Sequence, residues 1–455
     1  MKWILKRASV LFLFASLVNA CSPAEETAPM VQINGKLINW GNASKILKSE
    51  DIKSDFGLGL TFLLDTNDEQ EFQLKFPLTT GTYFSIGRNK LYIEPGDILT
   101  MTVDYRDPEN GFFVGDGEKR QQYLSGVAFP KSGSYLAGGS QVKENSYEHV
   151  LRLAEVKTME RQALLDKLTD SSADFIQLES MRLKLDYLNT ILSFPVYGSF
   201  KDYWEFSEVK KIEILTEVKG VLNLASKGIM QDMNMAHPNF RDMILTFGDE
   251  RLKTAGIFNE FKLTGFMSEY DAMGAFVTQL QSFGLTQEMQ QLSEEFINGN
   301  HSDEYKEMVQ LKVDEYAALK LGAPAFDVVF EDTDKNEVPL SNYKGKLIYV
   351  DLWATWCGPC IAELPAFKQL VKDYADKNIA FVPVSIDTDL EAWHKFLAKN
   401  NMHDTELVIN RVYLDEYKVI TIPRYLLIDK DFNIINVFAP VPSDPETRKL
   451  IDQYL

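Results

Sequence analysis

Short runs of alternating apolar and polar residues fill the first part of the chain. Val31-Gln32-Ile33-Asn34-Gly35-Lys36-Leu37, Glu71-Phe72-Gln73-Leu74-Lys75-Phe76 and Ile98-Leu99-Thr100-Met101-Thr102-Val103 each put their apolar residues on one side of a strand. Turn-forming clusters separate them: Thr80-Gly81, Pro95-Gly96-Asp97, Glu109-Asn110-Gly111 and Gly115-Asp116-Gly117. This spacing predicts a small antiparallel sandwich over residues 31–129. Lys131 to Ser140, rich in Gly and Ser, reads as part of a linker over 130–145. The period then changes. Val150, Leu153, Val156 and Met159, and later Leu178, Met181, Leu183, Leu185 and Leu188, predict an α-helical domain over 146–320. Its aromatic and Met-rich stretch (Phe258, Phe261, Phe266, Met267, Met273, Phe276) reads as core in preference to a peptide groove. A third pattern occupies 321–455. Leu347-Ile348-Tyr349-Val350-Asp351-Leu352-Trp353 has the look of a buried strand, and helical spacing runs from Cys360 to about Lys377. The expected architecture is multidomain: a sandwich-like β domain, a helical domain and a C-terminal α/β domain.

Between that strand and that helix stands Trp356-Cys357-Gly358-Pro359-Cys360. A cysteine at a helix N-terminus faces unpaired backbone N–H groups, which favour thiolate over thiol. A pKa drop from about 8.5 to about 7 corresponds to roughly 2 kcal/mol. A spacing of three puts both sulfurs on one helix face, close enough to bond. The pattern therefore suits thiol-disulfide exchange, with Cys357 the exposed nucleophile and Cys360 the buried resolving thiol. Gly358 permits close approach by a substrate backbone, and Pro359 lacks an N–H that the first helical turn would leave unpaired. A zinc site fits poorly, since the remaining cysteine is Cys21 and His394 and His403 lack zinc-finger spacing. Haem attachment would need His where Ile361 stands.

These residues resemble the thioredoxin superfamily, in particular its TlpA-like, membrane-tethered branch. The resemblance spans about Gly322 to Leu455. It rests on Ala323-Pro324-Ala325-Phe326, on Asn342-Tyr343-Lys344-Gly345-Lys346, on the cysteine string with Pro365 behind it, and on Ile422-Pro423 followed by Leu426-Leu427-Ile428-Asp429. It implies a thioredoxin-like fold and a disulfide reductase whose redox-active group is the Cys357–Cys360 disulfide itself, with no metal and no further cofactor. It implies that Asp351 lies beneath the cysteines and relays the Cys360 proton. It implies Glu363 as a second acid, although Glu363 reads equally as an ordinary solvated helix residue. Pro423 is expected cis, with Ile422, Trp356, Gly358 and Pro359 forming the substrate platform. Arg424 stands where thioredoxins usually carry Thr, a departure that bears on substrate preference.

The N-terminus adds a location. Lys2, Lys6 and Arg7 precede an apolar run, Val10 to Val18, too short to span a bilayer. Leu17-Val18-Asn19-Ala20-Cys21 resembles a bacterial lipobox, and Val18-Asn19-Ala20 also fits ordinary signal-peptidase cleavage. An unpaired thiol in an exported protein favours lipidation at Cys21, with residues 1–20 as signal peptide and 21–30 as tether. The segment Leu91-Tyr92-Ile93-Glu94-Pro95-Gly96-Asp97 resembles the small β domain of many Bacteroidetes lipoproteins.

Composition limits the partners. A net charge of −19 over 455 residues argues against nucleic acid, which needs a basic surface. The expected protein is a lipid-anchored, periplasm-facing thiol-disulfide oxidoreductase of the cell envelope. Its expected partners are disulfide-containing exported proteins and a membrane thiol-electron donor. The Gly-Pro dipeptide favours reduction, since thioredoxin lies near about −270 mV against about −120 mV for a strong dithiol oxidant. A peroxiredoxin-like thiol peroxidase, or a surface binding lipoprotein with an accessory redox domain, are the alternatives.

Overall fold

A computed structural model of the chain describes residues 28–41, 43–126, 147–197, 203–400, 402, 406–409 and 411–455. Cys21, the signal segment and the whole of the expected linker lie outside the described residues. The described chain forms two compact units.

One unit comprises residues up to 49, 61–129 and 160–180. Its strands are β1 (Met30–Ile38), β2 (Ile46–Ser49), β3 (Thr61–Leu63), β4 (Glu71–Pro77), β5 (Thr82–Ile86), β6 (Asn89–Ile93), β7 (Ile98–Asp104) and β8 (Phe112–Gly115). They make two four-stranded sheets, ordered β4-β1-β7-β8 and β3-β2-β5-β6. Alternation gives each sheet one apolar face: Val31, Ile33, Leu99 and Met101 meet Leu47, Phe84, Leu91 and Ile93 in a shared core. The sandwich is not purely antiparallel, because β1 and β7 pair in parallel. Fifty-nine residues and five strands separate them along the chain, so no hairpin constrains their direction.

The other unit contains residues 50–60, 130–159 and 181–455. The helices expected as one body therefore divide between the two units. Phe175 and Leu178 pack on Tyr83, Tyr92 and Leu124 of the sandwich. Residues 50–60 leave the sandwich because Arg241 holds them: it donates to the carbonyls of Glu50 and Asp51 at 2.7 and 3.1 Å and binds the Asp55 carboxylate. Val156 and Met159, expected inside, are exposed. The buried face of that helix is instead set by Val150 and Ala154.

The sheet of this unit has seven strands: β9 (Val329–Asp332), β10 (Glu337–Pro339), β11 (Leu347–Trp353), β12 (Ile379–Ser385), β13 (Leu407–Val408), β14 (Arg424–Ile428) and β15 (Ile434–Asn436). Their order is β10-β9-β13-β12-β11-β14-β15. Central β11 runs parallel to β12 and antiparallel to β14, and all seven of its residues are buried. This is a thioredoxin-like sheet. On one face lie the helices Gly358–Asp373 and Pro445–Tyr454, through Phe367, Leu370 and Ile451. On the other, Ile348, Val350 and Leu352 share one core with Leu280, Met289, Tyr316 and Leu319, from the helical part of the chain. Among the described residues no helix is long and apolar enough to cross a membrane.

Candidate active site

β11 delivers the site. After Trp353 the chain turns through Ala354 and Thr355, and the turn is tied down from the next strand. Asp387, just past β12, accepts from the Thr355 N–H at 2.8 Å and from its hydroxyl at 2.7 Å. Ser385 donates to the same carboxylate at 2.7 Å. Sequence reasoning missed Asp387, whose only signal was an acid at a strand end. Trp356 then projects into solvent, 65 % exposed.

Cys357 is the N-cap of the helix Gly358–Asp373. Its backbone is extended, and its Sγ accepts the Cys360 N–H at 3.2 Å. A negative sulfur at this position would gain from that N–H and from the helix dipole. Cys357 and Cys360 are disulfide-bonded, with Cα atoms 5.3 Å apart. Pro359 lies within the first turn, where no backbone partner is lost, and a Cβ placed on Gly358 would meet nothing within 4 Å. Pro365 lies inside the helix. One expectation needs correction. Cys357 is not an exposed residue but 5 % exposed, against 2 % for Cys360. Both belong to the apolar cluster that continues under the sheet, and Ile422 packs against that cluster. The exposed apolar surface beside the disulfide is Trp356.

The Ile422–Pro423 bond is cis. Arg424, next in line, opens β14 opposite Leu352. It faces the interior: its guanidinium stacks 3.8 Å from the Phe438 ring centroid and donates to the carbonyl of Gln281 at 2.8 Å. Burial pulls its pKa down to about 10. The departure from Thr at this position is therefore a link to the helix Phe266–Phe283, rather than a side chain offered to substrate.

Three acids complete the site. Asp351, 2 % exposed, sits in β11 on the face toward the active-site helix, and its Oδ1 has no hydrogen-bond partner among the described residues. Burial, and then the charge of Glu363, push its carboxyl up to about 8. Glu363 is not a freely solvated helix residue. Its two oxygens accept from the Ser443 N–H at 2.9 Å and the Ser443 hydroxyl at 2.8 Å. The third acid, Glu406, was not singled out from sequence. It is 5 % exposed, and burial followed by the charge of Asp351 push it up to about 8. Among the described residues no cluster of three or more His, Cys, Asp or Glu side chains could hold a metal.

Residues 320–455 match the Redoxin family. A thiol-disulfide oxidoreductase ResA of Bacillus subtilis is 30 % identical over 121 residues, which cover 26 % of this chain and 68 % of that protein. The ResA of Geobacillus kaustophilus is 31 % identical over 127 residues, 28 % of this chain and 72 % of its own length. Among solved structures, a candidate thiol-disulfide oxidoreductase from Bacteroides vulgatus is 48 % identical, with 30 % of this chain and 99 % of that one covered at a TM-score of 0.30.

Proposed function

Since the chain belongs, through its C-terminal third, to the Redoxin family of thiol-disulfide oxidoreductases, we propose that it works mainly as a membrane-tethered reductase of exported proteins. The observation that carries this reading is the Cys357–Cys360 disulfide at a helix N-terminus, fed by a strand with a buried acid.

In the reduced protein the Cys357 thiolate attacks a substrate disulfide. A Cys357–substrate bond forms, the substrate disulfide breaks, and its electron pair leaves on a substrate sulfur. Cys360 then gives its proton to the Asp351 carboxylate, and a carboxyl poised near 8 suits that exchange at neutral pH. The Cys360 thiolate attacks the Cys357 sulfur, releasing the second substrate thiolate and closing the Cys357–Cys360 disulfide. Two electrons have passed to the substrate, and a membrane thiol donor restores the dithiol. Trp356, Gly358, Pro359 and the backbone at Ile422-Pro423 form the platform for an extended substrate segment. Glu363 supports the site through its charge on Asp351. The lipobox-like Leu17 to Cys21 supports a lipid anchor at Cys21 facing the periplasm.

The full chain, given dithiothreitol, is expected to accelerate insulin reduction, and a Cys360→Ser variant made in cells is expected to hold substrates as mixed disulfides. Absence of both would remove the reductase reading. Cys21→Ser should leave activity intact and move the protein out of the membrane fraction; retention there would refute the anchor.

A further inference from the structure

Register brings Glu406 to the redox site. Asp351 of β11 pairs with Pro383 of β12. Val384 and Ser385 pair with Leu407 and Val408 of β13, so the position beside Pro383 on the far side is Glu406. Asp351, Pro383 and Glu406 thus form one cross-strand row, and side chains in such a row share a face of the sheet. The two acids start two strands apart, about 10 Å between Cα atoms. Pro383 stands between them in the row, and the charge of Asp351 acts on Glu406. One oxygen of each acid, Asp351 Oδ1 and Glu406 Oε2, is buried without a hydrogen-bond partner among the described residues.

The groups that face this pair offset its charge only in part, the Trp353 indole and the Lys368 ammonium favouring the ionised form of Glu406. The active-site helix brings Glu363, which adds negative charge, and the exposed Lys368, whose ammonium reaches the Asn400 carbonyl at 3.4 Å. The sheet brings Tyr349 and Tyr425, whose hydroxyls burial keeps protonated through the physiological range. Reduction of the disulfide adds the Cys360 thiol as a further titratable group. Two buried carboxyls in this setting cannot readily both be ionised.

We infer that Glu406 is a positioning residue of the thiol-disulfide exchange, forming with Asp351 a carboxyl pair that holds and releases protons as one unit. This rests on the reading of Cys357 and Cys360 as the working dithiol. When Cys360–SH passes its proton to Asp351, the pair goes from singly to doubly protonated or from doubly ionised to singly protonated. Glu406 thereby decides at which pH Asp351 is free to accept. Burial raises the affinity of both acids for protons, in keeping with such sharing.

The test is the resolving step, followed in the full-length protein by stopped-flow Trp fluorescence from pH 5 to 10. In the unsubstituted protein the rate should rise through two steps. In Glu406→Gln the upper step should disappear and the remaining midpoint should lie lower by on the order of one unit. Asp351→Asn should flatten the profile, and adding Glu406→Gln to it should change nothing further. A Glu406→Gln profile that overlays the unsubstituted one would overturn the inference, while intact insulin reduction would leave the oxidoreductase reading standing. Infrared titration of the protonated-carboxyl band in the unsubstituted protein gives a measurement that does not depend on variant folding. Two coupled transitions support the pair, and two independent ones refute it.

Discussion

Arg120 in the sandwich and Asp351 in the redox sheet are buried to nearly the same degree, yet their surroundings differ in kind. Arg120 donates to the Tyr92 carbonyl at 2.9 Å and to Glu94 at 2.5 Å, and pairs with Asp97. The charge is matched, and each of the three guanidinium nitrogens donates. Asp351 has a buried oxygen without a partner, and the nearest charges are further acids. A buried charge that only holds a fold must be paired, since an unpaired one costs several kcal/mol. An unpaired buried acid persists where its reluctance to ionise is useful. The sandwich shows the first case, and the redox sheet holds an unpaired acid of the kind the proposed proton relay requires.

Substitutions can break this contrast at either end. The largest effect is expected at the sulfurs. Cys357→Ser should reduce insulin-reducing activity to background, whereas Arg120→Met should leave the activity of the folded protein unchanged in the same assay. The second effect is on stability. Arg120→Met strands Glu94 and Asp97, so a denaturant melt should show a loss of about 3–5 kcal/mol. An unchanged melt would mean that the sandwich network contributes nothing.

Asp351→Asn should act in the opposite direction. The folded-state carboxyl is raised to about 8, so between its unfolded pKa near 4 and about 8 the native state holds the extra proton. Its contribution to stability therefore falls as pH rises through that window, and is flat outside it. The variant lacks this fall, so it should match the unsubstituted protein below pH 4 and exceed it by up to about 5 kcal/mol at pH 9. A variant less stable at pH 9 would mean that Asp351 has a partner when ionised. The smallest effect belongs to Arg424, a buried cation beside the site that is held by an aromatic ring and a carbonyl rather than by an acid. Arg424→Met removes its contacts with Phe438 and Gln281 but leaves no stranded opposite charge, so it should cost about 1 kcal/mol. The pH profile of the resolving step should not move. A shifted profile would place Arg424 in the electrostatics of the acids and blur the contrast.

Local features of the site were legible in the sequence because they depend on near neighbours. Six apolar or aromatic residues interrupted by Asp351 read as a buried strand, and a CxxC followed by helical spacing reads as the start of that helix. Glu406 was not legible. It precedes a two-residue strand, and nothing in Glu406-Leu407-Val408 distinguishes it from a loop acid. Its position beside Asp351 follows from the β12–β13 register alone. The burial of Cys357 and the inward turn of Arg424 were likewise set by packing from distant segments, Ile422 in one case and the helix Phe266–Phe283 in the other.

By itself the sequence determined the sandwich-like alternation, the helical tract and the strand-to-helix junction with its two cysteines. These follow from residue type and spacing, which act over a few residues. Tertiary structure decided which face met which. Helical periodicity shows that a face is apolar but not what covers it, so the union of Leu280, Met289 and Tyr316 with the redox core could not be read in advance. Nor could the meeting of two acids 55 positions apart in the chain, since strand register is a property of the assembled sheet.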